Sequence, residues 1–355
     1  MKVYFLISSL TTSAGTERIT TLLANEFIHL GYEVGIIAIH KGGAPFFSLD
    51  ASVKVSYLNQ ESHTNIYLFY TLNIFKIRRI LKRNKADIVI DVCSAMSLMS
   101  IPATAFTGIK VITWEHFNAM VEWNPITSPF ARKLAALFSS HIVVLTETDK
   151  KVFENKYKAR NVITISNPIT FNSETPSLLT EKVVLSIGRF EPQKGFDMLI
   201  DAWEMCRCKE FGWKLKIVGS GVLKSEMENQ IIAKNMQETI CLEPPTHQVI
   251  DLYKNSSIFA MSSRFEGLPL VLIESMFMGL PIISFDCETG PRDIVKNNIS
   301  GRLVKPNDVK SLAQNIDELA LNPTLLQEYG KNALIYNKQF ELAPIIQKWI
   351  TLIQK

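Results

Sequence analysis

The 355 residues are 47% hydrophobic and 20% charged, which suffices for two buried cores and is too apolar for a disordered chain. Five cysteines (Cys93, Cys206, Cys208, Cys241, Cys287) form no CxxC pair, so zinc and disulfide frameworks are not expected and a reduced, cytoplasmic setting follows. The net charge of +4 divides into +6 over residues 1–170 (18 Lys and Arg against 12 Asp and Glu) and −2 over the rest (20 against 22), a modest surplus with no aromatic-interleaved basic platform, which argues against nucleic acid.

The first element is a strand, Val3–Ser8, followed by mostly polar residues and no small-residue cleavage site; it reads as buried structure, not a signal peptide. No apolar run reaches the roughly 20 residues that span a bilayer. The loop Ser13-Ala14-Gly15-Thr16-Glu17-Arg18 leads into a helix, Thr16–Leu30, with Ile19, Leu22, Leu23 and Phe27 on one face. Gly15 and Thr16 would offer helix-end amides to an anion. Glu17 and Arg18 are weaker candidates. The loop is not GxGxxG, which disfavours a dinucleotide oxidoreductase.

Strands are expected at Val34–Ile39, Lys54–Leu58, Asp87–Val92, Lys110–Thr113, His141–Leu145 and Val162–Ile165. Between the second and third of these, Lys76–Lys85 carries Ile77 and Leu81 at helical spacing among Arg78, Arg79 and Lys82. That face is either solvated, or touches anionic lipid head groups or a pyrophosphate-bearing acceptor. Trp114-Glu115-His116-Phe117-Asn118 ends a strand, so Glu115, His116 and Asn118 are candidates for the acceptor side of a cleft. After Asn167-Pro168 a polar stretch reads as a linker. The expected division is 1–170, a linker at 171–180, 181–340, and a helix over 341–355 with Trp349 whose packing surface stays open.

The alternation restarts at Val183–Ile187, then Leu215–Val218, Thr239–Leu242, Ile258–Met261, Pro281–Phe285 and Gly301–Val304. Strand and helix in turn predict an α/β chain of two doubly wound, Rossmann-like domains facing a central cleft at their strand carboxyl ends. Gly188-Arg189 and Lys194-Gly195 place two cations on a strand-to-helix loop, a fit for a diphosphate that glycine lets approach the backbone. Phe265–Glu274 holds Glu266 and Glu274 eight positions apart, with Gly267-Leu268-Pro269-Leu270 opening a helix to about Leu280. Pro269 suits the first helical position. Helix-end amides favour phosphate, and carboxylates accept from sugar hydroxyls, so a nucleotide sugar is indicated. In Cys287–Asp293, Thr289 could cap and Pro291 start a helix, with Gly290 near the departing phosphates. No HExxH, P-loop, GxSxG or DxD occurs; no cofactor or metal is called for, and cations and dipoles must neutralise the diphosphate.

Together the Gly15-Thr16-Glu17-Arg18 loop, Trp114-Glu115-His116, Asn167-Pro168, Gly188-Arg189…Lys194-Gly195, Glu266-x7-Glu274 and Gly290-Pro291 resemble the family 4 retaining glycosyltransferases of the GT-B fold. The Phe285-Asp286-Cys287…Thr289-Gly290-Pro291-Arg292 segment looks like the subgroup that extends polyprenyl-diphosphate-linked oligosaccharides or surface polysaccharides; Ala14 and Glu288 depart from the common pattern. The resemblance implies a hexosyltransferase that uses a nucleotide sugar, UDP favoured, on the inner face of the plasma membrane. It implies that Arg189 and Lys194 hold the diphosphate, Glu274 the ribose, and Glu266 with Gly267–Leu270 the donor sugar, and that His116 lies near the acceptor hydroxyl. A nucleotide-sugar epimerase on the same fold and a non-catalytic nucleotide-sugar-binding protein are the alternatives.

Overall fold

The computed structural model describes the chain except residues 13, 41, 61–65 and 172–174 and the side chains of 59, 60, 66 and 67. Ser13 of the first loop and residues 172–174 of the expected linker therefore lie outside the described residues. Two compact units are present, Met1–Thr170 with Leu342–Lys355, and Phe171–Glu341.

In the first unit the strands are β1 (Lys2–Ile7), β2 (Glu33–His40), β3 (Lys54–Gln60), β4 (Ile88–Val92), β5 (Lys110–Trp114), β6 (His141–Val144) and β7 (Val162–Thr164). They form one parallel sheet in the order β3-β2-β1-β4-β5-β6-β7. Every residue of β4 is buried, as expected of a central strand covered by helices on both faces. The helix Gly15–His29 turns Ile19, Leu23 and Phe27 inward, while Ile66–Asn84 buries Ile77 and Leu81.

The second unit repeats the winding with β8 (Val183–Ile187), β9 (Lys214–Val218), β10 (Ile240–Glu243), β11 (Ile258–Met261), β12 (Ile282–Phe285) and β13 (Gly301–Val304), in the order β10-β9-β8-β11-β12-β13. In each sheet the order reverses beside the first strand, between β1 and β4 and between β8 and β11. Such a reversal parts the loops at the strand carboxyl ends and opens a crevice there.

Two points left open in the expected division are filled in by the structure. Residues 341–355 form a helix, Leu342–Ile353, that belongs to the first unit, where Trp349 meets Trp114 edge-on at 4.9 Å between centroids. The described end of the expected linker lies in the second unit. Ser177 donates its N–H to the Met278 carbonyl at 2.9 Å and its hydroxyl to the Ser256 carbonyl at 2.6 Å, which ties it to the second unit. No helix among the described residues is long and apolar enough to cross a membrane.

Candidate functional site

Because β8, β11 and β12 are neighbours, the loops at their carboxyl ends stand side by side in the second unit. The β8 loop runs through a tight turn, Pro192–Lys194, to Gly195 and then the helix Phe196–Met205. Gly195 has φ 62°, and a Cβ there would lie 2.2 Å from the Ser262 carbonyl oxygen, so only glycine lets this loop rest on the β11 loop. Arg264 fastens the two. Its N–H donates to the Gln193 carbonyl at 2.8 Å, and its guanidinium donates to the Pro192 carbonyl at 2.6 Å and to both oxygens of Asp197 at 2.9 and 2.6 Å. Burial works against ionisation of Asp197, but the Arg264 fork and the backbone N–H groups of Asp197 and Met198 together outweigh it and hold the carboxyl below its ordinary range. In return Gln193 donates its side-chain amide to the Phe265 carbonyl at 3.0 Å.

This clamp brings Lys194 Nζ to 2.7 Å from Glu266 Oε1, with side chains only 18% and 6% exposed. The β12 loop supports the backbone that carries this carboxylate. The Thr289 hydroxyl donates to the Glu266 carbonyl, and Gly290 (φ 93°) packs so closely that a Cβ would lie 2.5 Å from the Gly267 oxygen. Thr289 therefore does not cap the short helix Pro291–Ile294; Gly290 occupies that position and donates its N–H to Asp293 at 3.1 Å. Pro269 also differs from expectation. Its ψ of 111° keeps it extended, so it precedes the helix Leu270–Phe277 as its cap residue instead of starting it, and the helix ends short of Leu280. Glu274, 2% exposed in the second turn, accepts a hydrogen bond from the Tyr253 hydroxyl at 2.8 Å. Arg189 stands apart from Lys194 in its pairing: it is largely exposed and meets Glu191 at 2.9 Å.

In the first unit, β5 runs into Glu115 and His116. Glu115 is fully buried, its Oε2 3.2 Å from Arg132 Nε and 2.5 Å from the Ser94 hydroxyl. Arg132 donates further to the carbonyls of Ala119 (2.7 Å) and Asn118 (3.1 Å), and the Asn118 side chain accepts from the Met120 N–H. Glu115 and Asn118, expected on the acceptor side, brace the β5 loop around the buried Arg132 in this structure. Sequence reasoning missed Arg132, although it shares a buried helical stripe with Ser128, Ala131 and Ala135 that a surface arginine would not occupy.

His116 packs against Trp114 with its ring tilted by 50° and the centroids 4.1 Å apart, and its Nε2 is buried without a hydrogen-bond partner. Desolvation pushes its pKa down to about 3, so the imidazole is neutral near pH 7. At the carboxyl end of β1, Thr12 and Thr16 donate to the two oxygens of Glu17 at 2.5 and 2.7 Å. A buried carboxyl group thus sits in the first turn of the helix, beside Gly15 and Thr16, which were expected to receive phosphate.

Arg78, Arg79 and Lys82 lie in the later turns of Ile66–Asn84, which lead into the amino end of β4, away from the strand carboxyl ends. Arg78 donates to the carbonyls of Ala103 and Ala105 at 3.0 and 2.7 Å, closing the end of the helix Ser97–Thr104. Arg79 and Lys82 are exposed.

Both halves of the chain match known families. Residues 13–172 match the family model described as Glycosyltransferase Family 4, and residues 170–335 the one described as Glycosyl transferases group 1. An uncharacterized glycosyltransferase of Haemophilus influenzae is 32% identical over 349 residues, covering 98% of each chain. From Campylobacter jejuni, the GalNAc-alpha-(1->4)-GalNAc-alpha-(1->3)-diNAcBac-PP-undecaprenol alpha-1,4-N-acetyl-D-galactosaminyltransferase is 30% identical over 360 residues, 99% of this chain and 98% of that one. The crystal structure of Anabaena HepE with UDP and glucose shares the fold, with a TM-score of 0.83 over the whole of both chains at 18% identity. The two family models follow one another along the chain and the relatives match over nearly their full length, so the protein belongs to the glycosyltransferases of the GT-B fold.

Proposed function

We propose that this glycosyltransferase moves a hexose or N-acetylhexosamine from a UDP-sugar, with retention of anomeric configuration, to a polyprenyl-diphosphate-linked glycan in bacterial surface polysaccharide assembly. The observation that carries the reading is the Lys194–Glu266 pair at the strand carboxyl ends, an ammonium and a carboxylate held ready in a shielded loop cluster. The donor's anomeric C–O bond breaks with its electron pair leaving on the diphosphate. Lys194 and Arg189 stabilise that charge, the largest catalytic contribution expected of such a site. To reach it, Arg189 leaves its weak surface partner Glu191. Glu266 and the Gly267–Leu270 backbone address the sugar, and Glu274 the ribose. His116 offers a neutral imidazole as hydrogen-bond partner to the acceptor hydroxyl, whose proton passes to the departing diphosphate oxygen as the new bond forms on the face the diphosphate left. No metal or other cofactor enters this scheme.

The Campylobacter relative, whose name specifies an undecaprenol-linked acceptor, supports the choice of acceptor class, and HepE with UDP supports the nucleotide. Exposed Arg79 and Lys82, on one helix with Phe75 at 66% exposure, support a peripheral contact with the inner face of the plasma membrane. The test is a donor-hydrolysis screen over UDP-, GDP- and ADP-sugars, followed by transfer of labelled sugar into a lipid extract and assignment of the product anomer. Failure to cleave every donor, or an epimer formed without acceptor, would overturn the reading.

A further inference from the structure

The donor chemistry above gives Tyr253 no part, yet its buried hydroxyl lies 2.8 Å from Glu274 Oε2. Tyr253 belongs to the helix Val249–Lys254, which leads into β11, whereas Glu274 stands on the helix that follows β11. The tyrosine ring packs against both Phe171 and Phe259, each with its centroid 6.1 Å away. A close-packed aromatic cluster of this kind leaves the phenol no alternative position without opening the core. A glutamate side chain has several staggered arrangements open to it. A charge-assisted hydrogen bond from an immobile donor selects one of them.

We propose that Tyr253 is a positioning residue for donor binding: its hydroxyl holds Glu274 in the rotamer that accepts from the ribose of a nucleoside diphosphate. The proposal rests on the reading of Glu274 as the ribose-binding carboxylate. An ionised carboxylate has about four lone-pair sites, so a bond to the phenol leaves acceptor capacity for a ribose hydroxyl. Ribose selectivity then depends on a side chain that never touches the ligand.

Binding is measured by calorimetry for wild type, Tyr253→Phe, Glu274→Gln and the double variant. The probes are whichever of UDP, GDP and ADP binds wild type most tightly, its 2′-deoxy and 3′-deoxy analogues, and inorganic pyrophosphate. Wild type is expected to prefer the ribonucleotide over at least one deoxy analogue by about tenfold to a hundredfold, the scale of one hydrogen bond to a charged group. In Tyr253→Phe, which keeps the ring and its packing, that preference falls to within about threefold of unity while pyrophosphate affinity is unchanged. The double variant binds no more weakly than Glu274→Gln alone, because a positioning effect has nothing left to position.

Retention of the wild-type preference by Tyr253→Phe would overturn the proposal and leave the reading of Glu274 standing. So would a parallel loss of pyrophosphate binding, which would mark the phenol as general support for the unit. A wild type indifferent to the ribose hydroxyls, with Glu274→Gln binding equally well, would remove the reading of Glu274 itself.

Discussion

Lys194 and Glu266 are 72 positions apart in the chain and 2.7 Å apart at Nζ and Oε1. The contact exists because β8 and β11 are sheet neighbours and the Arg264 clamp holds their loops together. An ammonium compensated by a carboxylate can stay in a shielded loop without ligand, and still be drawn to a diphosphate when one arrives.

Removing either cation is expected to cost about 10²–10³ in turnover, the scale of one lost charge-stabilising donor. The two variants should differ in stability. Arg189→Ala gives up only an exposed pair and stays within about 0.5 kcal/mol of wild type. Lys194→Ala leaves the buried Glu266 carboxylate without its partner and loses about 1–3 kcal/mol. Steady-state kinetics and thermal melts on both proteins check this; near-normal turnover by both would show that the leaving group sits elsewhere.

Gly195→Ala tests the contact between the loops. Its positive φ and the 2.2 Å approach to the Ser262 oxygen mean that a single methyl group forces the β8 loop off the β11 loop. Stability should drop by about 1–3 kcal/mol or more, and turnover should fall with it as Lys194 moves from Glu266. An alanine variant that melts and turns over like wild type would refute the described packing.

Glu115 and Arg132 form a pair with no side-chain exposure on either member. Arg132→Met alone, or Glu115→Leu alone, should lose about 3–5 kcal/mol because each strands a buried charge. The double variant should recover most of that loss, since the desolvation of both ions disappears together. Urea unfolding of the three variants decides between this and a pair whose members act independently.

Asp91, at 0% exposure on β4, accepts from the Ser97 and Ser100 hydroxyls through Oδ2 while Oδ1 has no partner. Desolvation pushes its pKa up to about 7, against the two serine hydrogen bonds. The unfolded carboxyl gives up its proton near pH 4, so between about pH 4 and 7 the folded chain binds more protons than the unfolded one. Stability from this residue is complete below that window and falls as pH rises through it, by up to about 1.4 kcal/mol per unit. Asp91→Asn, which cannot ionise, should flatten this slope in melts recorded from pH 5 to 8. An unchanged slope would mean that Asp91 is ionised in the fold.

The alternation of β-branched runs with amphipathic segments made both sheets readable, because a central parallel strand is predominantly apolar and each helix shows one apolar stripe. The candidate site was readable where chemistry is local: Gly188-Arg189, Lys194-Gly195 and the Glu266–Glu274 spacing each lie within one loop and its helix. The partner that Glu115 and Asn118 share was not legible, because their residue types suit a sugar as well as they suit an arginine. Only the fold shows that Arg132 reaches them from the helix Thr127–Phe138.

By itself, then, the sequence determined two doubly wound α/β sheets, the order of their strands along the chain, and the loops that carry cations and carboxylates. These follow from periodicity and turn chemistry, which act over a few residues. The tertiary structure alone decided which of those groups meet. Lys194 with Glu266, Tyr253 with Glu274, Glu115 with Arg132, and the helix Leu342–Ile353 with the first unit are all contacts between distant segments. Such pairings are set by sheet order and by the burial of charge, and neither leaves a mark on the spacing of neighbouring residues.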